Sequence, residues 1–218
     1  MPSTTHRLTA PDRRKQLIEA AMDLFSRKGF AGTTTKEIAL AAGVSEAIIF
    51  RHFATKRDLY TAIIEHNIHS AGAKQVLAEI EACMKRRDDE GLFRLIAKEV
   101  IEEHRRDARF ERLMLHASLE GHELATIYRR EFGLPIFATL RAYLDRRQRS
   151  GALRHIDSAA MIVAIAGMAN YYALNAGNAN PGGPELKDEQ VVEAFTRIMM
   201  DGIRGPSISK KKKSNSWG

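Results

Sequence analysis

The side chains of this sequence best equipped to recognise another molecule gather between Thr35 and Lys56: Thr35, Lys36, Ser45, Glu46, Ala47, Ile48, Phe50, Arg51, His52 and Lys56. Lysine, arginine, histidine and hydroxyl groups can donate to phosphate oxygens. A carboxylate such as Glu46 can accept from a cytosine amino group, Ala47 and Ile48 can rest on thymine methyls, and Arg51 or Lys36 can donate to guanine. Elsewhere the chain offers no comparable set. It holds no Gly-rich phosphate loop, Gly-x-Ser-x-Gly elbow or His-Glu-x-x-His, so enzyme chemistry is not expected. His66 and His69 stand three apart without an evident third ligand, so neither metal nor cofactor is expected. Cys83 is the single cysteine, which excludes an intrachain disulfide and a cysteine-built zinc site and suits a reducing cytoplasm.

Such a set needs a rigid support, and the surrounding residues spell one out. Thr34 and Glu37 are spaced as a capping box, each able to bond the other's backbone N–H. Ile38, Ala39 and Ala42 then form an inward face, with Ala39 small where two helices must cross. Gly43 can take the left-handed conformation that turns the chain. Val44 plugs the corner, Ser45 is placed to cap a second helix, and Ile49 and Phe53 point inward four residues apart. The pattern predicts a helix-turn-helix whose second helix turns Glu46, Ala47, Ile48, Phe50, Arg51 and His52 outward or along its edge, a surface that a DNA major groove accepts.

From about Arg13 to Glu65 the sequence resembles the DNA-binding domain of the TetR family of transcriptional regulators. The resemblance rests on Ala21 and Phe25, Gly29-Phe30, Thr34-Thr35, Ile38-Ala39, Ala42-Gly43-Val44-Ser45, Phe50, His52-Phe53, Lys56 and Leu59. It implies that Thr35, Lys36, Phe50, His52 and Lys56 position the phosphate backbone. Two residues depart from the family pattern: Ala47, often glycine, and Phe50, mostly tyrosine. Phenylalanine lacks the hydroxyl that would bond a phosphate, so Phe50 is left with backbone or van der Waals contact.

Charge fits this reading. The chain has 218 residues, 44% of them apolar, and a net charge of +7. Residues 1–60 carry +4, residues 61–209 carry −1, and the four lysines 210–213 supply the remainder. A basic head on a near-neutral body is the electrostatic footprint of a nucleic-acid binder with a second, separate function. The start of the chain lacks the apolar stretch of a secretory signal. Residues 159–177 carry no charge, but alanines, Gly167, Asn170 and Asn175 make them too weakly apolar for a membrane span.

The remaining elements must hold and move this head. Helical spacing predicts an all-α fold of about nine helices, divided as a head over residues 1–55, a ligand-binding and dimerisation body over 56–205, and a basic tail over 206–218. The first helix should begin near Thr9 to Asp12 and stop at Gly29; Arg13, Arg14 and Lys15 crowd its first turn, the unfavourable end of its dipole for cations, as a nearby phosphate would explain. A long helix over 56–84, bending near Ser70 to Gly72, should join head to body, with its first N–H groups and the Lys56 ammonium converging on a phosphate. Helices follow over 90–106, 110–119, 122–148 with a kink at Gly133 and Pro135, 157–176 and 187–203, with a loop at 178–184. Phe93, Met114, Tyr128, Phe132, Phe137, Met161, Met168 and Tyr172 are candidates for an apolar ligand pocket, or plain core. Ala160, Ala164, Gly167 and Tyr171 share a narrow face suited to close helix contact, and the last two helices of two subunits would pair as four, as TetR-like proteins do. The function expected is a cytoplasmic homodimeric repressor that releases a palindromic double-stranded operator when a lipophilic or aromatic effector binds. A helical small-molecule carrier without DNA function is the rival reading, and activation instead of repression is left open by the sequence.

Overall fold

The computed structural model describes residues 8–175 and 186–205. Residues 1–7, the loop 178–184 and the tail 206–218 lie outside the described residues. Those described form eleven α-helices and one π-helical turn; among them the only β feature is an isolated bridge between Leu153 and Arg204. No helix among them is long and apolar enough to cross a membrane. The all-α expectation holds, and two further helices arise because two long expected helices are divided.

Helix α1 (Ala10–Lys28) starts at Thr9, whose side chain accepts from the Asp12 N–H, and stops at Gly29. Gly29 has φ 68°, a left-handed backbone conformation that favours glycine. Helices α2 (Thr35–Ala41) and α3 (Glu46–His52) follow. Helix α4 (Lys56–Ile68) begins on a second capping box, Thr55 with Asp58. It does not run on to residue 84. The chain breaks at His69, where the Ser70 Oγ accepts from the Ala73 N–H and so starts α5 (Ala71–Arg86) afresh. Asn, His, Ser and Gly between 67 and 72 are poor helix formers, and a serine hydroxyl bonded to backbone two or three residues on competes directly with helix continuation.

Helices α6 (Asp89–Arg106) and α7 (Arg109–Leu119) come next. The expected kinked helix is α8 (Glu123–Tyr128), a π-helical turn over Arg129–Gly133, and α9 (Leu134–Arg149). Pro135 follows directly on the π turn, where the Leu134 N–H reaches back to the Arg129 carbonyl, so the widened turn carries the helix past the residue that has no N–H to give. Helices α10 (Ser158–Asn175) and α11 (Asp188–Ile203) complete the fold.

Two compact units result, Met1–Ala82 with Glu99–Pro135, and Cys83–Lys98 with Ile136–Gly218. The first is built on one core. Leu17, Ala21 and Phe25 of α1, Ile38, Ile49, Leu59, Tyr60 and Ile63 are buried together with Leu113 of α7. Aromatic rings continue it: Phe25 meets Tyr60 edge-on at 4.7 Å, and Phe30 lies 4.4 Å from His122. The unit therefore does not end after residue 55, because α4 and α7 close the core that α1 to α3 begin.

The second unit is pinned by a buried polar cluster. Asp89, 8% exposed, accepts from the Tyr143 hydroxyl at 2.5 Å and from the Arg147 guanidinium at 2.7 Å. A partner on each side compensates the buried carboxylate for lost hydration. Gln148 and Ser158 tie the end of α9 to the start of α10, at 2.8 Å. Helices α10 and α11 pack together, with Tyr172 against Phe195 and its hydroxyl 2.7 Å from Asp188.

Candidate nucleic-acid interface

The helix-turn-helix forms as its sequence dictates. The Glu37 carboxylate accepts from the Thr34 N–H at 2.8 Å while the Thr34 hydroxyl accepts from the Glu37 N–H at 3.2 Å. Lys28 adds an ammonium at 2.7 Å. That ammonium, followed by the two Thr34 bonds, holds the Glu37 carboxyl down at about 2, so the cap stays intact across the ordinary pH range. Gly43 takes φ 66° in the turn, and the Val44 N–H reaches back to the Ala39 carbonyl at 2.9 Å. Gln16 of α1 donates to the Ala42 carbonyl at 3.1 Å and ties the turn to the helix beneath it. Ser45 stands at the N-cap, yet its side chain makes no capping bond; the Ser45 carbonyl instead accepts from the Ile48 N–H.

Ile49 and Phe53 are buried and fix α3 by one face. Ser45, Glu46, Ala47, Phe50 and Arg51 are exposed, Phe50 at 49%, while Ile48 and His52 are half-buried. On α2, Lys36 is exposed and the half-buried Thr35 bonds the Glu46 carboxylate through its hydroxyl. That bond orients the one acidic group on the reading surface.

Two candidates sit differently from expectation. Lys56 turns inward: its ammonium donates to the Phe30 and Thr33 carbonyls, both at 2.8 Å, and lies 4.1 Å over the Phe30 ring. Burial lowers its pKa, with Glu120 opposing. It therefore clamps the α1–α2 loop instead of standing ready for a phosphate. The His52 Nε2 is covered and has no partner. Burial first, then Arg51, Arg14 and Arg13, push its pKa below the usual value.

Arg13 and Arg14, which motif spacing alone does not single out, flank this surface. Thr9, Arg13, Val44, Ser45, Arg51 and His52 border a cleft of about 400 Å³ between the first turn of α1 and α3. The Arg14 guanidinium stacks 4.5 Å over the Phe53 ring with one nitrogen covered and unpartnered. The signal in the sequence is the run of three cations at the wrong end of a helix dipole.

The eight candidates for a ligand pocket divide between the two units. Met114 and Tyr128 pack against the core of the first unit, with Phe132 5.5 Å from Tyr128 and Phe110 edge-on to it. Phe93, Phe137, Met161, Met168 and Tyr172 belong to the second, where Phe93 and Met161 are wholly buried. None of the eight borders the cleft beside α3 or the open groove along α11. Near Tyr128, α7 carries Glu111, whose Oε2 is covered and unpartnered. Burial, with smaller contributions from Glu103 and Asp107, raises its carboxyl to about 7 against the pull of its own backbone N–H.

Comparison with known proteins agrees with this geometry. The model of the family described as bacterial regulatory proteins, tetR family, matches residues 17–63. An uncharacterised HTH-type transcriptional regulator of Bacillus subtilis, YvkB, is 45% identical over 67 residues, 31% of this chain and 34% of that protein. The chain thus spans about a third of YvkB. The HTH-type transcriptional regulator RutR of Escherichia coli K12 is 28% identical over 211 residues, 88% of this chain and 91% of RutR. Among solved structures, AibR in complex with isovaleryl coenzyme A and operator DNA superposes with a TM-score of 0.64 at 20% identity, over 85% of this chain and 97% of AibR.

Proposed function

We propose that the chain is a TetR-family transcriptional regulator with an N-terminal DNA-binding domain, and that it acts as a cytoplasmic, dimeric repressor released from a palindromic operator by a small apolar or aromatic effector. The observation that carries the proposal is the surface of α3. Ile49 and Phe53 anchor it while Ser45, Glu46, Ala47, Phe50 and Arg51 stand clear for a major groove. Glu46, Ala47, Ile48 and Arg51 read base edges; Thr35, Lys36, Phe50 and His52 position the backbone. Lys56 reaches a phosphate only after leaving the Phe30 and Thr33 carbonyls.

One head sees too few base pairs for selective binding, so two are needed about 34 to 36 Å apart, one duplex turn. The face of α10 supports a dimer. Ala160, Val163, Ala164, Gly167, Tyr171 and Leu174 recur at helical spacing and are exposed, Val163 at 63% and Tyr171 at 73%. On α11, Ile198 is 59% exposed in the open groove. The functional division follows the head at 1–55, the body at 56–205 and the basic tail at 206–218, although α4 shares the core of the head.

For the effector, the aromatic and methionine side chains of the body are the apolar surface on offer, although among the described residues none of the eight candidates borders either open cleft. AibR shares the fold and is seen with both an acyl-coenzyme A and its operator, which supports a body that answers to a small molecule. Footprinting on DNA upstream of the chain's own coding region, at several salt concentrations, tests the reading. The expected result is a palindromic protected stretch whose affinity falls steeply with salt; no protection at any salt concentration would favour the carrier reading.

A further inference from the structure

The reading surface carries one tethered acidic group, and the tether is anchored from the inside of the head outward. The Thr33 hydroxyl donates to the Gly29 carbonyl at 2.9 Å, and the Thr33 carbonyl accepts from the Lys56 ammonium at 2.8 Å. Thr34 is closed into its capping box with Glu37. Thr35, the next residue, therefore stands on a fixed backbone at the start of α2. Glu46 opens α3, which the buried Ile49 holds in place. Across the turn, the Thr35 hydroxyl donates to Oε1 of Glu46. Among the described residues that hydroxyl is the only side-chain partner of Glu46, which is exposed and keeps Oε2 to accept from elsewhere.

A threonine hydroxyl has a single proton. Given to Glu46, it is not available to a phosphate, so Thr35 reaches the backbone only after leaving the carboxylate, as Lys56 does after leaving its carbonyls. A carboxylate brought among phosphates is repelled unless it meets a donor. In a major groove the donors are the amino groups of cytosine and adenine. Guanine and thymine turn acceptors outward, and the adenine amino group stands beside N7, a further acceptor. We infer that Thr35 is a positioning residue for base recognition: it holds Glu46 so that Oε2 accepts from the N4 amino group of one cytosine in each half-site. The inference rests on the DNA reading above and gives that reading a named base and a residue that enforces it. An untethered glutamate must have its torsions ordered when it binds, whereas the bond from Thr35 orders them beforehand. Losing the tether should cut the cytosine preference about fivefold. Losing the carboxylate should remove the whole preference, about tenfold for a good base contact.

Selection of bound duplexes from a library randomised over about two helical turns, using the full chain, defines the half-site without a known operator. Anisotropy titrations then compare the selected duplex with versions in which each base pair is exchanged in turn, for wild type, Thr35→Val, Thr35→Ser and Glu46→Ala over a range of salt. Wild type should prefer cytosine about tenfold at one position of each half-site. That preference should vanish in Glu46→Ala, fall to roughly twofold in Thr35→Val and return in Thr35→Ser, with the salt slope of Thr35→Val unchanged. A Thr35→Val chain that keeps the full preference overturns the inference. One that weakens every duplex alike and lowers the salt slope by about one makes Thr35 a phosphate contact and overturns it too. Base preferences untouched by Glu46→Ala, or loss of a preference for a base other than cytosine, overturn it while leaving the DNA reading standing. Failure of wild type to bind any duplex at low salt overturns both readings together.

Discussion

Glu111 offers a measurement of how much the packing between α7 and α8 withholds from water. Its carboxyl is raised from the usual 4.5 to about 7, chiefly by burial, and its Oε2 has no partner. The folded chain thus holds a proton that the unfolded chain gives up. The stabilisation is complete below pH 4.5 and is lost as pH climbs through 7. At about 1.4 kcal/mol per pH unit, the penalty at pH 8 is on the order of 3 kcal/mol, and at pH 5 on the order of 1 kcal/mol. Replacing the group by Glu111→Gln or Glu111→Met removes the pH-dependent part and leaves a constant offset from repacking. Urea unfolding followed by circular dichroism at pH 5 and pH 8 should therefore show either variant gaining about 2 kcal/mol on wild type between the two. A 13C titration of the Glu111 carboxyl gives the midpoint directly. An offset that is the same at both pH values, or a midpoint below about 5, would refute the reasoning.

Other substitutions test the remaining elements. Phe50→Tyr adds a hydroxyl at a half-exposed position on α3; one charge-assisted bond to a phosphate should tighten duplex binding by roughly tenfold in an anisotropy titration, and unchanged affinity would remove residue 50 from the backbone contacts. Val163→Glu combined with Ile198→Glu places charge on the exposed faces of α10 and α11. Sedimentation should report monomer in place of dimer, with operator binding lost; an intact dimer would move the interface elsewhere. Asp89→Ala strands the Arg147 guanidinium and the Tyr143 hydroxyl and should cost about 3 kcal/mol in chemical denaturation, whereas Tyr143→Phe should cost about 1 kcal/mol. Equal losses from the two would show that the carboxylate is not the centre of the cluster.

The head was legible because its determinants are local. Thr34 and Glu37 cap one helix across three residues, Gly43 needs a left-handed backbone, and Ile49 and Phe53 face inward by helical spacing. Lys56 shows where that reach ends. Its position at a helix start suggests a phosphate ligand, but the carbonyls that hold it belong to residues 26 and 23 positions earlier, a tertiary fact. Ser45 has the right type for a cap but makes no capping bond, and the same ambiguity at Ser70 goes the other way and breaks the expected long helix. In the body, a Met and aromatic stripe carries no mark of which core it joins. Met114 and Tyr128 go to the reading head and Phe93 and Met161 to the other unit, a partition that spacing along one helix does not encode.

Leu59, Tyr60 and Ile63 of α4 and Leu113 of α7 are buried with the residues that support α3. For protein engineering, this makes the reading module a poor candidate for transplantation at residue 55. Such a cut strips its floor and leaves Phe25 and Ile38 to water. A hybrid that exchanges operator preference between relatives should place its junction after α4 and import the matching side of α7, or confine the exchange to the outward residues of α2 and α3.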